Sequence, residues 1–299
     1  MRKTAILLPV ATLALAMLAA CTNGNPLSPG PKKGQVTVGS ASFPENVLLA
    51  DIYVSALKAK GVKVVTRFNV GSREVLYQQV QSGSITVIPE YNGALLGYVD
   101  AKSRATTTSE IDSELDMRLP ASMEILDSSP AEDKNALVVT GATATADHLA
   151  SIADLTPFAA GMTIGGPPEF KTRYQGLPGL QEKYGLTFRD FTSLDTGGPI
   201  TVKALADGTV QVATLFTTDP NLVTRGFKVL ADPEQVFSAQ NVTPLVYRDS
   251  MTPVATRTLN TVSAKLDTAA LVTMMAKIVN EKKDIDVVAD DWLRSVGLR

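Results

Sequence analysis

The chain has 299 residues, with 28 Lys and Arg against 30 Asp and Glu. That balance excludes the basic stripe of a nucleic-acid binder. One His, one Cys and one Trp leave too few side chains for a zinc site and a single imidazole for a Ser-His-Asp centre. His148, in the polar run after VVTGATATAD, reads as a surface residue. The zinc-protease, lipase-elbow, phosphate-loop and CxxC patterns are all absent, so neither a metal nor a cofactor is implied. The length suffices for two lobes, each with its own core.

Arg2-Lys3 followed by the uncharged, Ala-rich stretch 5–20 has the form of a secretion signal and is short for a membrane span. Leu18-Ala19-Ala20-Cys21 resembles the bacterial lipobox, in which cleavage precedes the Cys and its thiol takes a lipid. Residues 1–20 are therefore expected to be a lipoprotein signal, with Cys21 as the lipidation site. Residues 21–34, rich in Pro, Gly, Asn and Ser, cannot bury apolar area and are expected to form a flexible tether.

From Gln35 the pattern becomes that of an α/β protein. Residues 35–41 alternate like a strand, and Ser42-Phe43-Pro44-Glu45 has the capping-box form with Pro in the first turn. Val47, Leu48, Ile52 and Leu57 keep helical spacing up to Gly61, and residues 62–70 are β-branched. Gly71-Ser72 opens a helix over 73–82, and 84–89 is a strand ending in Glu90-Tyr91-Asn92-Gly93. This alternation predicts an open, largely parallel sheet with helices on its faces. Loops 41–46, 70–73 and 89–93 then lie at the carboxyl ends of the strands, where such sheets bind ligands.

The grammar returns later in the chain. A helix over 200–207, a stop at Gly208 and a strand over 209–215 lead into Phe216-Thr217-Thr218-Asp219-Pro220. Helices are expected after Pro253, over 269–280 with Asp267 as N-cap, and over 284–296. The four acids between Asp284 and Asp291 read as a solvated face.

These residues together resemble the substrate-binding proteins of osmoprotectant (glycine betaine, carnitine, choline) ABC importers, of the ProX/OpuBC type. The resemblance runs over nearly all of 35–299. It is carried by VTVGSASFPENVLLADI (36–52), Gly71-Ser72, IPEYNG (88–93), PEFKTRYQGLPGLQEKYGL (168–186), KALADGTVQVATLFTTD (203–219), KVLAD (228–232), TPLV (243–246) and DDWLRSVGL (290–298). It implies a bilobal type II periplasmic-binding-protein fold, two α/β lobes joined by a two-strand hinge. Lobe 1 would comprise 35–137 plus 245–299, and lobe 2 residues 138–244. It further implies a monomeric, non-enzymatic receptor, lipid-anchored outside the cytoplasmic membrane, that delivers a small osmolyte to a permease driven by an ATPase.

A quaternary ammonium has no N–H to donate, so recognition falls to dispersion and the negative faces of aromatic rings, about 0.5 to 2 kcal/mol each. Matched by motif, the ring positions are Phe43, Tyr91, Phe170 and Phe216. Three of these are Phe where relatives use mostly Tyr, which predicts a greasier cage. Gln240 stands where relatives often carry a Tyr. Phe68, Phe158 and Phe188 read as core.

For a carboxylate-bearing solute, Arg173 fits the family's F-x-x-R pattern and could fork onto the anion, assisted by helix starts at Ser42 and Ser72; a salt bridge between the lobes is the alternative for Arg173. Asp219 and Glu90 could face a cation, or act as caps or hinge partners. Asn92 and Thr218 are candidate polar contacts. Two readings compete with the osmolyte one: an uncharged aromatic solute in the same fold, and an enzyme or non-transport surface lipoprotein.

Overall fold

The computed structural model describes residues 35–299; the expected signal, tether and Cys21 lie outside them. The chain begins with β1 (Gln35–Gly39), α1 (Pro44–Ala59), β2 (Lys63–Arg67), α2 (Arg73–Gln81), β3 (Val87–Tyr91), α3 (Asn92–Val99), α4 (Thr108–Arg118) and β4 (Met123–Ile125). It continues through β5 (Asn135–Thr140), α5 (Gly141–Ala146), β6 (Thr163–Gly166), α6 (Leu177–Tyr184), β7 (Asp190–Ser193), α7 (Pro199–Ala206), β8 (Val212–Phe216), α8 (Asn221–Thr224) and β9 (Phe227–Val229). It then returns with β10 (Val242–Tyr247) and ends in α9 (Pro253–Lys265), α10 (Thr268–Val279) and α11 (Ile285–Ser295).

Two five-stranded sheets result, in the orders β2-β1-β3-β10-β4 and β7-β6-β8-β5-β9. Each has a parallel core of the strands that the β-α alternation predicts. The sheets are nevertheless mixed, because β10 runs antiparallel to β3 and β4, and β5 antiparallel to β8 and β9. These two strands are the ones that carry the chain between the sheets. All of β5 belongs to the second sheet and all of β10 to the first, so the sheet changes come before Asn135 and before Val242. Both are a few residues earlier than the expected lobe limits.

The two connecting segments pair with each other. The Asp133 amide donates to the Gln240 carbonyl at 3.1 Å and the Val242 amide to the Ala131 carbonyl at 3.0 Å, with a bridge between Glu132 and Asn241. Gly93 allows α3 to lie against this hinge, since a Cβ there would come within 2.0 Å of the Ala239 carbonyl oxygen. Each sheet face carries its own apolar core. Leu48, Ile52, Leu57, Leu259, Leu271 and Leu293 weld α1 to the C-terminal helices. Leu137, Ile152, Ile164, Leu180 and Val212 centre the second sheet, with Phe158 and Phe188 packed on their margin. Among the described residues no helix is long and apolar enough to cross a membrane.

Candidate functional site

The strand ends of the first sheet are drawn together by Asn46, whose side chain accepts from the Ala41 amide at 2.6 Å and donates to the Pro89 carbonyl at 3.0 Å. This fixes the loop carrying Ser42 and Phe43 beside the end of β3. A cavity of about 260 Å³ opens between these loops and the strand ends of the second sheet. Its walls include Ser42, Phe43, Ser72 and Tyr91 from one side and Phe170, Arg173 and Phe216 from the other. All four proposed ring positions therefore border one space.

Three rings stand in file. Phe43 lies 6.2 Å from Tyr91 with planes 26° apart, and 5.3 Å from Phe216 with planes 24° apart, stacked on both. Phe43 and Tyr91 come from the first lobe and Phe216 from the second, so the file spans the cleft. Gly197 makes room for it: its φ is +62°, and a Cβ would meet the Phe216 ring at 2.7 Å. Phe170 borders the cavity but is almost fully buried, 6.4 Å from Phe237 in the second core.

The charged wall residues are mostly paired. Arg73 forks onto Glu90 through contacts of 2.9 to 3.1 Å, and Glu90 also accepts from the Tyr91 amide. Burial disfavours the Arg73 cation, but Glu90 and then Glu74 hold its pKa above the ordinary value. Arg173 reaches across the cleft to Glu74, with contacts of 2.8 to 3.1 Å. It is thus an interlobe salt bridge, and its guanidinium does not stand open to a ligand carboxylate. Glu169 lines the cavity with no ion pair among the described residues.

Three expected contacts lie elsewhere. Asn92 is buried in the hinge, donating to Asp112 at 2.7 Å and accepting from the Gly93 and Asn241 amides, each at 2.8 Å. Thr218 is buried between Glu45 and Asp133. Asp219 caps the start of α8 by accepting from the Asn221 amide at 2.7 Å. Thr218 and Asp219 border a groove on the far side of the ring file, which Phe43 and Phe216 also line. All three lie within three residues of a proposed ring in sequence, and that proximity, with the polarity of Asn92 and Thr218 and the charge of Asp219, was what pointed to them.

The expected capping box at Ser42 and Glu45 also does not form. Phe43 is the N-cap of α1, with Pro44 in the first turn, and no side chain caps the helix. Glu45 instead accepts from the Tyr91 and Thr218 hydroxyls. Ser72 does precede α2, but its hydroxyl donates to Glu74 at 2.6 Å.

The sequence reading missed several wall residues: Tyr98, Tyr174, Gln175 and, as a wall residue in its own right, Gln240. Tyr98 packs edge-on against Tyr77, and the Arg104 guanidinium sits 4.5 Å above the Tyr174 ring. Gln175 bridges the lobes, donating to the Gly93 carbonyl and the Ser238 hydroxyl at 3.0 Å and accepting from Gln240 at 2.9 Å. Tyr174 directly follows Arg173, so its place at the cleft was within reach of the pattern that located Arg173.

A family model described as the substrate binding domain of the ABC-type glycine betaine transport system matches residues 34–295. The chain belongs to this family. It is thereby a substrate-binding component of an ABC-type importer, of the extracytoplasmic class. It is 28% identical over 282 residues to the glycine betaine-binding protein YehZ of Escherichia coli (strain K12), covering 88% of this chain and 90% of that protein. Among solved structures, a glycine betaine/carnitine/choline ABC transporter protein superposes with a TM-score of 0.68 at 19% identity, over 88% of this chain and 99% of that one. A choline binding protein in complex with choline superposes with a TM-score of 0.65 at 16% identity, over 88% of this chain and 89% of that one. The likeness to these two structures is one of fold, and it makes the two-sheet arrangement that of a bilobal periplasmic binding protein.

Proposed function

We propose that this family member traps a quaternary-ammonium solute, such as glycine betaine, choline or carnitine, in the interlobe cavity and passes it unchanged to the permease and ATPase of its importer. The observation that carries the reading is the ring file Tyr91–Phe43–Phe216, assembled from both lobes at a single cavity. Ring faces are what a cation without N–H donors can use. The paired state of Arg73 and Arg173, with Glu169 unpaired, supports a cationic head group over a bare anion. Ser42, Ser72 and Phe170 complete the proposed contacts. The receptor acts as a monomer, held to the outer face of the membrane by lipid on Cys21, and performs no chemistry on its cargo.

Isothermal titration of the mature protein with the three solutes tests the reading. A saturable heat is expected with at least one, and Phe216→Ala is expected to weaken it about 2- to 30-fold, the range that a lost ring face implies. No heat with any of them refutes the osmolyte assignment. A second reading, a flat uncharged solute, is favoured by the phenylalanines and the engaged arginines; binding of such a compound that Phe216→Ala abolishes, with no osmolyte heat, would establish it. Loss of membrane association in Cys21→Ser is the expected sign of the lipid anchor.

A further inference from the structure

Glu45 is the second residue of α1 and is 2% exposed, yet it points into neither a solvent-facing cap nor an ion pair. The Tyr91 hydroxyl donates to its Oε1 at 2.7 Å, and the Thr218 hydroxyl donates to its Oε2. The first donor belongs to the cavity wall of lobe 1; the second comes from the loop after β8 in lobe 2. Asp133, 1% exposed, lies in the hinge segment just before β5. Its Oδ1 accepts from the Thr218 amide at 3.1 Å and the Thr217 hydroxyl at 3.2 Å, while its Oδ2 is buried with no partner. Thr218 therefore has a carboxyl on either side, one met by its hydroxyl and the other by its amide.

The groups facing this pair are Tyr91, whose phenol is neutral, and Asp219, which adds a like charge. Arg225 and Lys282 line the groove that Glu45 and Asp219 also border, and Arg225 acts on Asp219. Among the described residues neither Glu45 nor Asp133 forms a salt bridge. Two ionised carboxylates in so dry a place, without a cation, repel each other strongly. A proton on the orphaned Oδ2 of Asp133 removes the repulsion and supplies that atom with a donor to Glu45.

We propose that Glu45 and Asp133 hold one proton between them, and that this pair is the positioning element tying the Tyr91 ring to the second lobe, so that loss of the proton loosens lobe closure. Burial raises both groups above the ordinary range; Glu45 pushes Asp133 further, well above it, while the hydroxyls of Thr218 and Tyr91 only partly offset the rise at Glu45. A carboxyl raised in the folded state stabilises fully below its unfolded value, and its contribution is lost as pH rises through the raised value. Closure should therefore weaken on the alkaline side. The inference is independent of which solute is bound.

The test uses the mature protein without added solute. Infrared spectra at neutral pH are expected to show a protonated-carboxyl stretch that Asp133→Asn removes and that disappears from the wild type as pH is raised. X-ray scattering over the same range is expected to show the wild-type radius of gyration increasing in step with that loss. In Asp133→Asn the side-chain amide supplies the donor permanently, so its radius should stay at the compact value; Glu45→Gln should likewise lose the pH dependence. A wild type with no protonated carboxyl at neutral pH overturns the proposal, as does a radius that is flat until the protein unfolds. An alkaline expansion that persists in both variants overturns it equally. The two wild-type measurements decide the matter even if a variant fails to fold.

Discussion

The Arg173 guanidinium of the second lobe holds the Glu74 carboxylate of the first through both Nε and a terminal nitrogen, across the mouth of the cavity. The pair is about one-third exposed, so water screens it and its contribution to closure is under about 1 kcal/mol. Although burial alone would raise it, hydrogen bonds from Ser72 and Arg173 leave the Glu74 pKa below its ordinary value. That contribution is present above the ordinary value and is lost as pH falls through the lowered one. Acid and salt should both open the ligand-free protein slightly, as scattering at increasing ionic strength can check.

The same pair predicts a specificity change. A carboxylate on the solute must compete with Glu74 for Arg173, whereas choline need not. Glu74→Gln is expected to raise the affinity for glycine betaine relative to choline, and calorimetry with both solutes measures the ratio. An unchanged ratio would mean that Arg173 never meets the solute.

Gly197→Ala should damage the ring file from behind. The residue sits at φ +62°, a conformation costing an ordinary side chain about 1 kcal/mol or more, and its new Cβ would press on Phe216. A lower melting temperature together with weaker solute binding is expected; a lower melting temperature alone would separate backbone strain from ring placement.

Breaking the buried Arg73–Glu90 fork leaves a charge without a partner. Arg73→Ala is expected to cost about 3 to 5 kcal/mol in denaturant unfolding, and the double variant with Glu90→Gln should recover part of it. Additive losses would argue that the two residues act separately.

Tyr91→Phe keeps the ring face and removes the hydroxyl that Glu45 accepts. An unmet buried acceptor costs about 1 to 3 kcal/mol. The variant should be less stable while its stacking on Phe43 survives, so unfolding is expected to change more than the heat of solute binding.

Much of this was legible in the residues. The alternation over 35–93, punctuated by glycines such as Gly61 and Gly71, gives the parallel core and the strand-end loops because helix and strand periods are local properties. The ring positions Phe43, Tyr91 and Phe216 came from the motif resemblance, with the strand ends adding support for two of them, and in the structure Tyr91 closes β3 and Phe216 closes β8. The antiparallel placement of β5 and β10 was hidden, since a strand's apolar run does not say which neighbour it joins or in which direction. Glu45 shows the same limit. Its spacing from Ser42 is that of a capping box, but Tyr91 and Thr218, far away in sequence, compete for the carboxyl and win. Asn92 and Thr218 were read as ligand contacts because they are polar and close to rings in sequence. The groups that engage them, Asp112 and the Asn241 amide for Asn92 and the Glu45 and Asp133 carboxyls for Thr218, come together only in three dimensions. Tyr98 lies five residues past the IPEYNG motif, and Tyr174 lies inside the 168–186 motif, directly after the Arg173 that drew attention.

The position of β10 bears on the order in which the molecule can assemble. The second sheet draws all its strands from one continuous stretch, 135–229, whereas the first lacks its inner strand until residues 242–247 exist, and β4 has no other partner. Closing so long a loop is entropically costly and slow. A chain emerging N-terminus first must therefore carry an unfinished first lobe, with β3 unpaired along one edge, until nearly the whole protein has appeared. The half that supplies Phe43 and Tyr91 is completed last.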